Sequence, residues 1–258
     1  TGALCLDGTP ASYFYQKGFG SGIDKWMVFF QGGGWCYDLR MCHERSKHHF
    51  GSSVREVEAA CARAENVGGY LSGYKHASNR VTFNFHYVHV NYCDGGSFAG
   101  DAEAEYEGST LHFKGAKIRR AVIDDLMTRL GMGNATDVVV TGSSAGGLAI
   151  YLGIDEIRAQ IHSYRKDIDV GGLADAGYFP DYVKNITNYP KKIRHLFRLM
   201  NISAGAPVKC IAQHRGSLSN CMFAENLLPT VESPLLIMQS KFDTWHTKHI
   251  LGMQTGDS

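Results

Sequence analysis

The feature that most limits how this chain can fold is Gly142-Ser143-Ser144-Ala145-Gly146, set between the runs DVVVT (137–141) and LAIYL (148–152). A short β-branched run that passes through Gly-x-Ser-x-Gly straight into an apolar stretch predicts a buried strand, a sharp turn and a helix. Such a turn tolerates only small neighbours around the serine, and Gly142 and Gly146 supply them. It lifts the Ser144 hydroxyl clear of the sheet and sets the Ala145 amide at the start of the helix, aimed at any developing oxyanion. Ser144 is therefore the candidate nucleophile. Ser143 is the weaker candidate because Thr141, two places before it, is not glycine.

Other apolar runs give the elbow its surroundings. Trp26–Gln31, Val81–Tyr92 and Pro234–Gln239 read as further strands. Ser53–Ala64, with Val54, Val57, Cys61 and Ala64 at helical spacing, and Ala116–Leu130 read as helices. Alternating strands and helices predict right-handed crossovers and a mostly parallel sheet covered on both faces, an α/β fold. Chemistry in such sheets gathers beyond the carboxyl ends of the strands. After the first strong strand comes Gly32-Gly33-Gly34-Trp35, where backbone can approach a substrate closely enough to offer a second amide to an oxyanion. Trp35 could wall a pocket or cap the core. After the last strand comes Asp243, which fits the chain order Ser, acid, His of a hydrolytic triad. Asp155, Asp167, Asp169, Asp175 and Asp181 also follow Ser144; Asp175 is the runner-up and reads better as a residue that orders a loop.

No linker or repeat divides the 258 residues, so one domain spanning residues 1–258 is expected. A formal net charge of +1 gives no sign of a polyanion-binding surface and no footprint of nucleic-acid binding. No apolar run approaches the ~20 residues that span a bilayer. The chain opens at Thr1 without a signal sequence, and both ends look cut. None of the seven cysteines forms Cys-x-x-Cys, and sequons occur at Asn134, Asn185 and Asn201. Both observations favour an oxidising, secretory compartment. His43, His48 and His49 lack carboxylate or cysteine partners at helical spacing, so they read as a solvated loop and not as a metal site.

The segments CLDGTPASYFYQKGFGSGIDKWMVFFQGGGWC, NYCDGGSFAGDAE, FKGAKIRRAVIDDL, VVVTGSSAGGLA, GGLADAGYF and ESPLLIMQSKFDTWH together resemble the pectin acetylesterase family, which includes the animal Notum carboxylesterases. GGGWC, YCDGGSFAGD and the Asp-x-Trp at Asp243 are closer to the plant branch. The sequence departs from that branch at Ser143, where cysteine is expected, and at Gln31, where glutamate is expected; neither is expected to touch the chemistry. The resemblance implies an α/β-hydrolase fold and a Ser-Asp-His triad, with no metal or organic cofactor. It implies Ser144 as nucleophile, Asp243 as triad acid, and Gly34 with Ala145 as oxyanion donors; Trp35, the candidate substrate contact, and Tyr178 could line either a sugar groove or a lipid pocket. It also implies disulfides Cys5–Cys93, Cys36–Cys42 and Cys210–Cys221, leaving Cys61 free. The expected protein is a secreted, monomeric cell-wall enzyme that removes O-acetyl groups from a polysaccharide such as pectin. The alternatives are removal of a longer acyl group from a protein, and a non-catalytic binding module without the triad histidine. Only His246 and His249 follow Asp243, three and six residues on, whereas the resemblance sets the base tens of residues later. The expectation is a C-terminally incomplete copy, nearly inactive as it stands because an unassisted serine is a weak nucleophile.

Overall fold

The computed structural model describes residues 1–54, 79–182 and 188–253. In chain order the elements are β1 (Tyr13–Gln16), β2 (Lys25–Phe30), α1 (Leu39–Ser46), β3 (His86–Val90), β4 (Ala102–Tyr106), β5 (Ser109–Phe113), α2 (Gly115–Thr128), β6 (Asp137–Ser143), α3 (Ala145–Tyr164) and β7 (Asp169–Asp175). Then follow α4 (Tyr189–Leu199), α5 (Val208–Gln213), α6 (Ala224–Leu227), β8 (Leu235–Met238) and α7 (Thr244–His249). Six strands form one sheet in the order β1-β3-β2-β6-β7-β8, and β4 pairs with β5 as a separate hairpin. Only the edge strand β1 runs antiparallel, against β3. The other pairings are parallel, as the alternation of strands and helices predicts, and this is the mostly parallel sheet of the α/β-hydrolase fold that the resemblance implies.

The centre of the sheet is apolar on both faces. In register, Trp26 lies beside Val138, Val28 beside Val140 and Phe30 beside Gly142. Trp26, Val28, Phe30, Val138 and Val140 are all almost fully buried. The 20-residue α3 buries twelve residues, including every one from Ala145 to Ile154, which makes it a core helix without a polar face in its first half. Arg119 on α2 is buried and donates to Glu156 on α3, to the Phe98 carbonyl (3.2 Å) and to the Gly205 carbonyl (3.0 Å). That guanidinium ties two helices to the loop after β3, since a buried charge must be paired and hydrogen-bonded to persist.

Two sequence expectations change. The run Val81–Tyr92 forms a strand only over His86–Val90. Before it, Asn79 Oδ1 accepts from the Thr82 amide (3.0 Å) and hydroxyl (2.8 Å), and the Phe85 amide donates to the Thr82 carbonyl (3.1 Å), so the segment turns despite its β-branched residues. The expected helix Ser53–Ala64 lies almost wholly outside the described residues, as do Cys61 and the sequon at Asn185. Asn134 and Asn201 are exposed. Among the described residues no helix is long and apolar enough to cross a membrane.

Cys5–Cys93, Cys36–Cys42 and Cys210–Cys221 are bonded, at sequence separations of 88, 6 and 11. Loop-closure entropy of the unfolded chain gives about 4–5 kcal/mol for the longest and about 3 kcal/mol for the 11-residue loop. Replacing Cys5 and Cys93 together by alanine should therefore lower the unfolding free energy more than replacing Cys210 and Cys221 together. Denaturant unfolding of the two double variants gives the order, and the reverse order would show that native packing around the bridges, not chain entropy, sets their contribution.

Candidate active site

Strand ends from the whole parallel core converge on Ser144. β6 stops at Ser143, and Ser144 takes φ 58° and ψ −122°, a region that a residue with a Cβ adopts only under steric cost. The surroundings hold it there. The Ser144 amide donates to the Asp175 carbonyl at the end of β7 (2.9 Å), and the Ser144 carbonyl accepts the first helical bond of α3 from Leu148 (3.0 Å). The backbone on either side is so close that side chains have no room. A Cβ on Gly146 would sit 2.1 Å from the Phe30 carbonyl oxygen, and one on Gly32 would sit 2.1 Å from the Ser143 carbonyl oxygen and 3.1 Å from Ser144 Cβ. The loop after β2 therefore abuts the elbow directly.

That loop is fixed from behind. Gly34 has φ +64°, a left-handed conformation natural to glycine. Its carbonyl accepts from the Tyr92 hydroxyl (2.8 Å), and the Gly33 carbonyl accepts from Arg45 Nη1 (3.0 Å). Arg45 also donates through Nε to the Phe50 carbonyl (3.0 Å) and lies over the rings of Phe50 and Tyr92, 4.9 and 5.0 Å from their centroids. The Cys36–Cys42 bridge pins the loop to α1. With the carbonyls of Gly33 and Gly34 both engaged behind the loop, the Gly34 amide is left without a hydrogen-bond acceptor among the described residues, and so is the Ala145 amide. Two unengaged amides on the segments that meet at Ser144 are what an oxyanion hole needs.

Tyr92 belongs to a second loop, after β3. Its hydroxyl accepts from the Ser97 amide (3.0 Å) while donating to Gly34, so one phenol joins two strand-end loops. Burial pushes that phenol's pKa well above its usual range, keeping it a donor at any ordinary pH. Ser97 and Phe98 both have φ 55°, and the buried Asp94 carboxylate holds this strained turn by accepting from the Gly96 and Phe98 amides, each at 3.1 Å. Burial raises the Asp94 pKa to about 6, against the pull of the Gly96 amide and Arg45. Gln31 completes the brace: its side-chain oxygen accepts from the Tyr92 amide (2.8 Å). The departure at Gln31 thus lies nearer the chemistry than the sequence suggests, because it couples the β2 and β3 loops.

Trp35 is almost wholly buried. Only 5% of its surface is exposed, its Nε1 donates to Ser97 Oγ (2.8 Å), and its ring packs edge-on against Phe179 (4.9 Å) and Trp245 (5.7 Å). It is a packing residue that joins the loops after β2, β3, β7 and β8, and it offers a ligand almost no surface.

Asp243 caps α7: its Oδ1 accepts from the His246 amide (2.9 Å), and its Oδ2 lies 3.5 Å from Gln239 Nε2. Asp175 lies beside Ser143 in the β6–β7 register, and through its backbone it holds the elbow. His246 packs on Phe179 (5.1 Å); burial lowers its imidazole pKa and Asp243 opposes that, while His246 Nε2 is buried without a partner. His249 stacks against Trp245 (4.9 Å). Among the described residues no hydrogen bond joins Ser144 Oγ to either histidine. His43 faces Tyr106 (5.5 Å) and Glu107 (3.9 Å) on the β4–β5 hairpin, and among the described residues no group of three or more His, Cys, Asp or Glu could hold a metal.

Tyr92, Arg45 and Ser97 were not singled out by the sequence, where they lack a motif, and Gln31 stood out only as a departure from the plant branch; the positions of Tyr92 and Ser97, inside NYCDGGSFAGD, gave a hint.

A sequence model of the pectinacetylesterase family matches residues 1–258. Pectin acetylesterase 7 of Arabidopsis thaliana is 36% identical over 253 residues, covering 97% of this chain and 61% of that protein. The human palmitoleoyl-protein carboxylesterase NOTUM is 30% identical over 256 residues, covering 94% of this chain and 49% of that protein. The crystal structure of the Wnt deacylase Notum from Drosophila superposes with a TM-score of 0.81 at 27% identity, over 100% of this chain and 74% of that one. The chain thus spans about three fifths of the length of the plant relatives it matches.

Changing Tyr92 to phenylalanine should remove the bridge while keeping the ring. Both the Ser97 amide and the Gly34 carbonyl then lose a partner in a buried setting, which costs about 1–3 kcal/mol. Denaturant unfolding and amide exchange at Ser97 read this out; unchanged stability together with unchanged exchange would mean that the phenol does not brace the loop.

Proposed function

The chain belongs to the pectinacetylesterase family, and on that premise we propose that it carries the nucleophile, oxyanion donors and triad acid of a secreted serine carboxylesterase that removes O-acetyl groups from an extracellular polysaccharide, pectin foremost. The observation that carries this reading is the Ser144 backbone, held at φ 58° on a turn between β6 and α3 with the Gly32–Gly34 loop against it. Strain of that kind persists only where the surroundings impose it, and it presents the hydroxyl to the solvent side of the strand ends.

In this reading Ser144 Oγ attacks the acetyl carbonyl carbon as an imidazole takes its proton. The carbonyl oxygen becomes an alkoxide received by the Gly34 and Ala145 amides. Collapse expels the sugar oxygen, which regains the proton from the imidazolium, and water then clears acetyl-Ser144 by the same route. Asp243 orients the imidazole and stabilises its cation. No described histidine is hydrogen-bonded to Ser144, and the reading requires an imidazole on a loop of its own to complete the triad. Three disulfides and exposed sequons at Asn134 and Asn201 support a secreted setting.

Removal of a longer acyl group from a protein is the second reading, favoured by the likeness to Notum. A long acyl chain needs a deep apolar cavity. Here Trp35, Phe179 and Trp245 fill the space between the oxyanion loop and the Asp243 loop, with centroids 4.9–5.7 Å apart, which supports the smaller acetyl group. The test uses the protein expressed from its complete reading frame. Acetate should be released from acetylated pectin, with Ser144→Ala lowering turnover by roughly 10,000-fold or more. Release of palmitoleate from an acylated peptide without acetate from pectin would overturn the acetyl reading, and full activity in the Ser144→Ala variant would overturn the nucleophile.

A further inference from the structure

Beside the aromatic cluster lies a cavity of about 130 Å³ lined by Tyr37, Tyr189, Lys192, Trp245, Lys248 and His249. We infer that it is a subsite for a uronate residue of an anionic polysaccharide, held by the aromatic walls and by the ammonium groups of Lys192 and Lys248. This rests on the esterase reading above and names what the substrate chain presents next to the ester.

Three elements build the pocket. Tyr37 stands two residues after Trp35 on the oxyanion loop, α4 brings Tyr189 and Lys192 at a spacing of three, and α7 brings Trp245, Lys248 and His249 at spacings of three and one. Residues three or four apart share one helix face, so each helix presents an aromatic ring and an ammonium group together. Tyr189 is buried (2% exposed) and supports Trp245 edge-on at 5.6 Å, so the accessible aromatic surface is that of the half-buried Tyr37 and Trp245. Aromatic faces of this kind receive the C–H face of a pyranose ring, an apolar surface on an otherwise polar molecule.

The charge on the pocket is one-sided. No carboxylate is among its lining residues, and neither Lys192 nor Lys248 has an acidic partner among the described residues. Lys192 Nζ lies 5.5 Å from the Tyr37 ring centroid, and Lys192 and Lys248 both act on His249, whose imidazole pKa is lowered first by burial and then by these two cations. The contrast is the cavity of about 480 Å³ beside α3, where Arg120 pairs with Glu156 and Lys209 with Glu232, leaving no cation free for a ligand. A net charge of +1 over the chain hides this local concentration. Two ammonium groups without an acidic partner among the described residues, beside the rings of Tyr37 and Trp245, fit a sugar ring that carries an anion; a neutral sugar would leave the lysines unanswered, and an acyl chain would be better served without them.

The position suits a neighbouring unit of the same chain. Trp245 is two residues from Asp243 and packs on Trp35, which directly follows Gly34. The recess is thus linked to the loop beside Ser144 through the Trp245–Trp35 contact.

The experiment separates binding from turnover, with all variants made in the protein expressed from its complete reading frame. Binding of unacetylated trigalacturonate is titrated calorimetrically to the Ser144→Ala protein, beside a neutral trisaccharide and a sulfated one. Trigalacturonate should bind, more weakly at higher salt, and the double change Lys192→Gln, Lys248→Gln should weaken it about tenfold. Both lysines are exposed, so the variant should fold, and circular dichroism checks this. In the protein that retains Ser144, the same double change should raise KM for acetylated oligogalacturonide about tenfold while leaving hydrolysis of p-nitrophenyl acetate unaltered. Equal affinity for trigalacturonate with and without the lysines overturns the subsite, as does equal binding of the neutral sugar. Tighter binding of the sulfated sugar overturns the carboxylate assignment. If p-nitrophenyl acetate is not hydrolysed at all, the esterase reading fails while the titration still decides the subsite.

Discussion

The backbone contact between the elbow and the β2 loop is the constraint from which the rest of this architecture follows. Gly32 lies against the Ser143 carbonyl and Ser144 Cβ, and Gly146 lies against the Phe30 carbonyl, with no space for a methyl group at either place. Because β2 and β6 are adjacent parallel strands in register from Lys25↔Asp137 to Phe30↔Gly142, their carboxyl ends arrive at the same level. Two loops that leave a sheet side by side can touch only if the residues at the contact lack side chains. Ser144 is held in its strained conformation by this contact and by the Asp175 carbonyl from the other flanking strand. The strain is balanced by the buried sheet below and the core helix α3 behind.

The glycine-rich loop after β2 needs a separate support, since such a segment loses more entropy on ordering than any other. Here the cost is offset by polar groups that point away from the site: Tyr92 on Gly34, Arg45 on Gly33, and Gln31 between the two loops. The Asp94 carboxylate stabilises the turn that sets Ser97 for both Tyr92 and Trp35. These bonds are buried, so each is worth more in place than absent, and together they leave the loop a single arrangement. Preorganisation of this kind is what lets backbone amides stabilise a developing charge without first having to turn toward it.

Aromatic side chains close the remaining gaps between strand ends. Trp35 and Phe179 come from the loops after β2 and β7 and Trp245 from α7, and they pack edge-to-face, the geometry that ring quadrupoles favour. Their contact couples the glycine-rich loop after β2 to the segment that carries Asp243, and Trp245 also lines the recess that holds Lys192 and Lys248.

The sequence by itself determined the parts governed by local rules. Short apolar runs gave the buried strands around Val28 and Val140, the run through Gly142–Gly146 gave the strand–turn–helix around Ser144 and the start of α3, and spacing gave α2. It did not single out β7, whose Gly171 and Gly172 dilute the strand pattern and whose place is fixed by pairing with β6 and β8. It overextended β3, because the turn made by Asn79 and Thr82 depends on a side chain bonding backbone, which β-propensity does not register. It left Trp35 open between pocket wall and core cap, and only packing against Phe179 and Trp245 decided that the indole is buried. The roles of Gln31, Arg45, Tyr92 and Ser97, and the meeting of Lys192 with Lys248, depend on residues far apart in the chain. No local pattern encodes a contact between residues dozens of positions apart; the parallel sheet creates it by bringing every strand end to one edge.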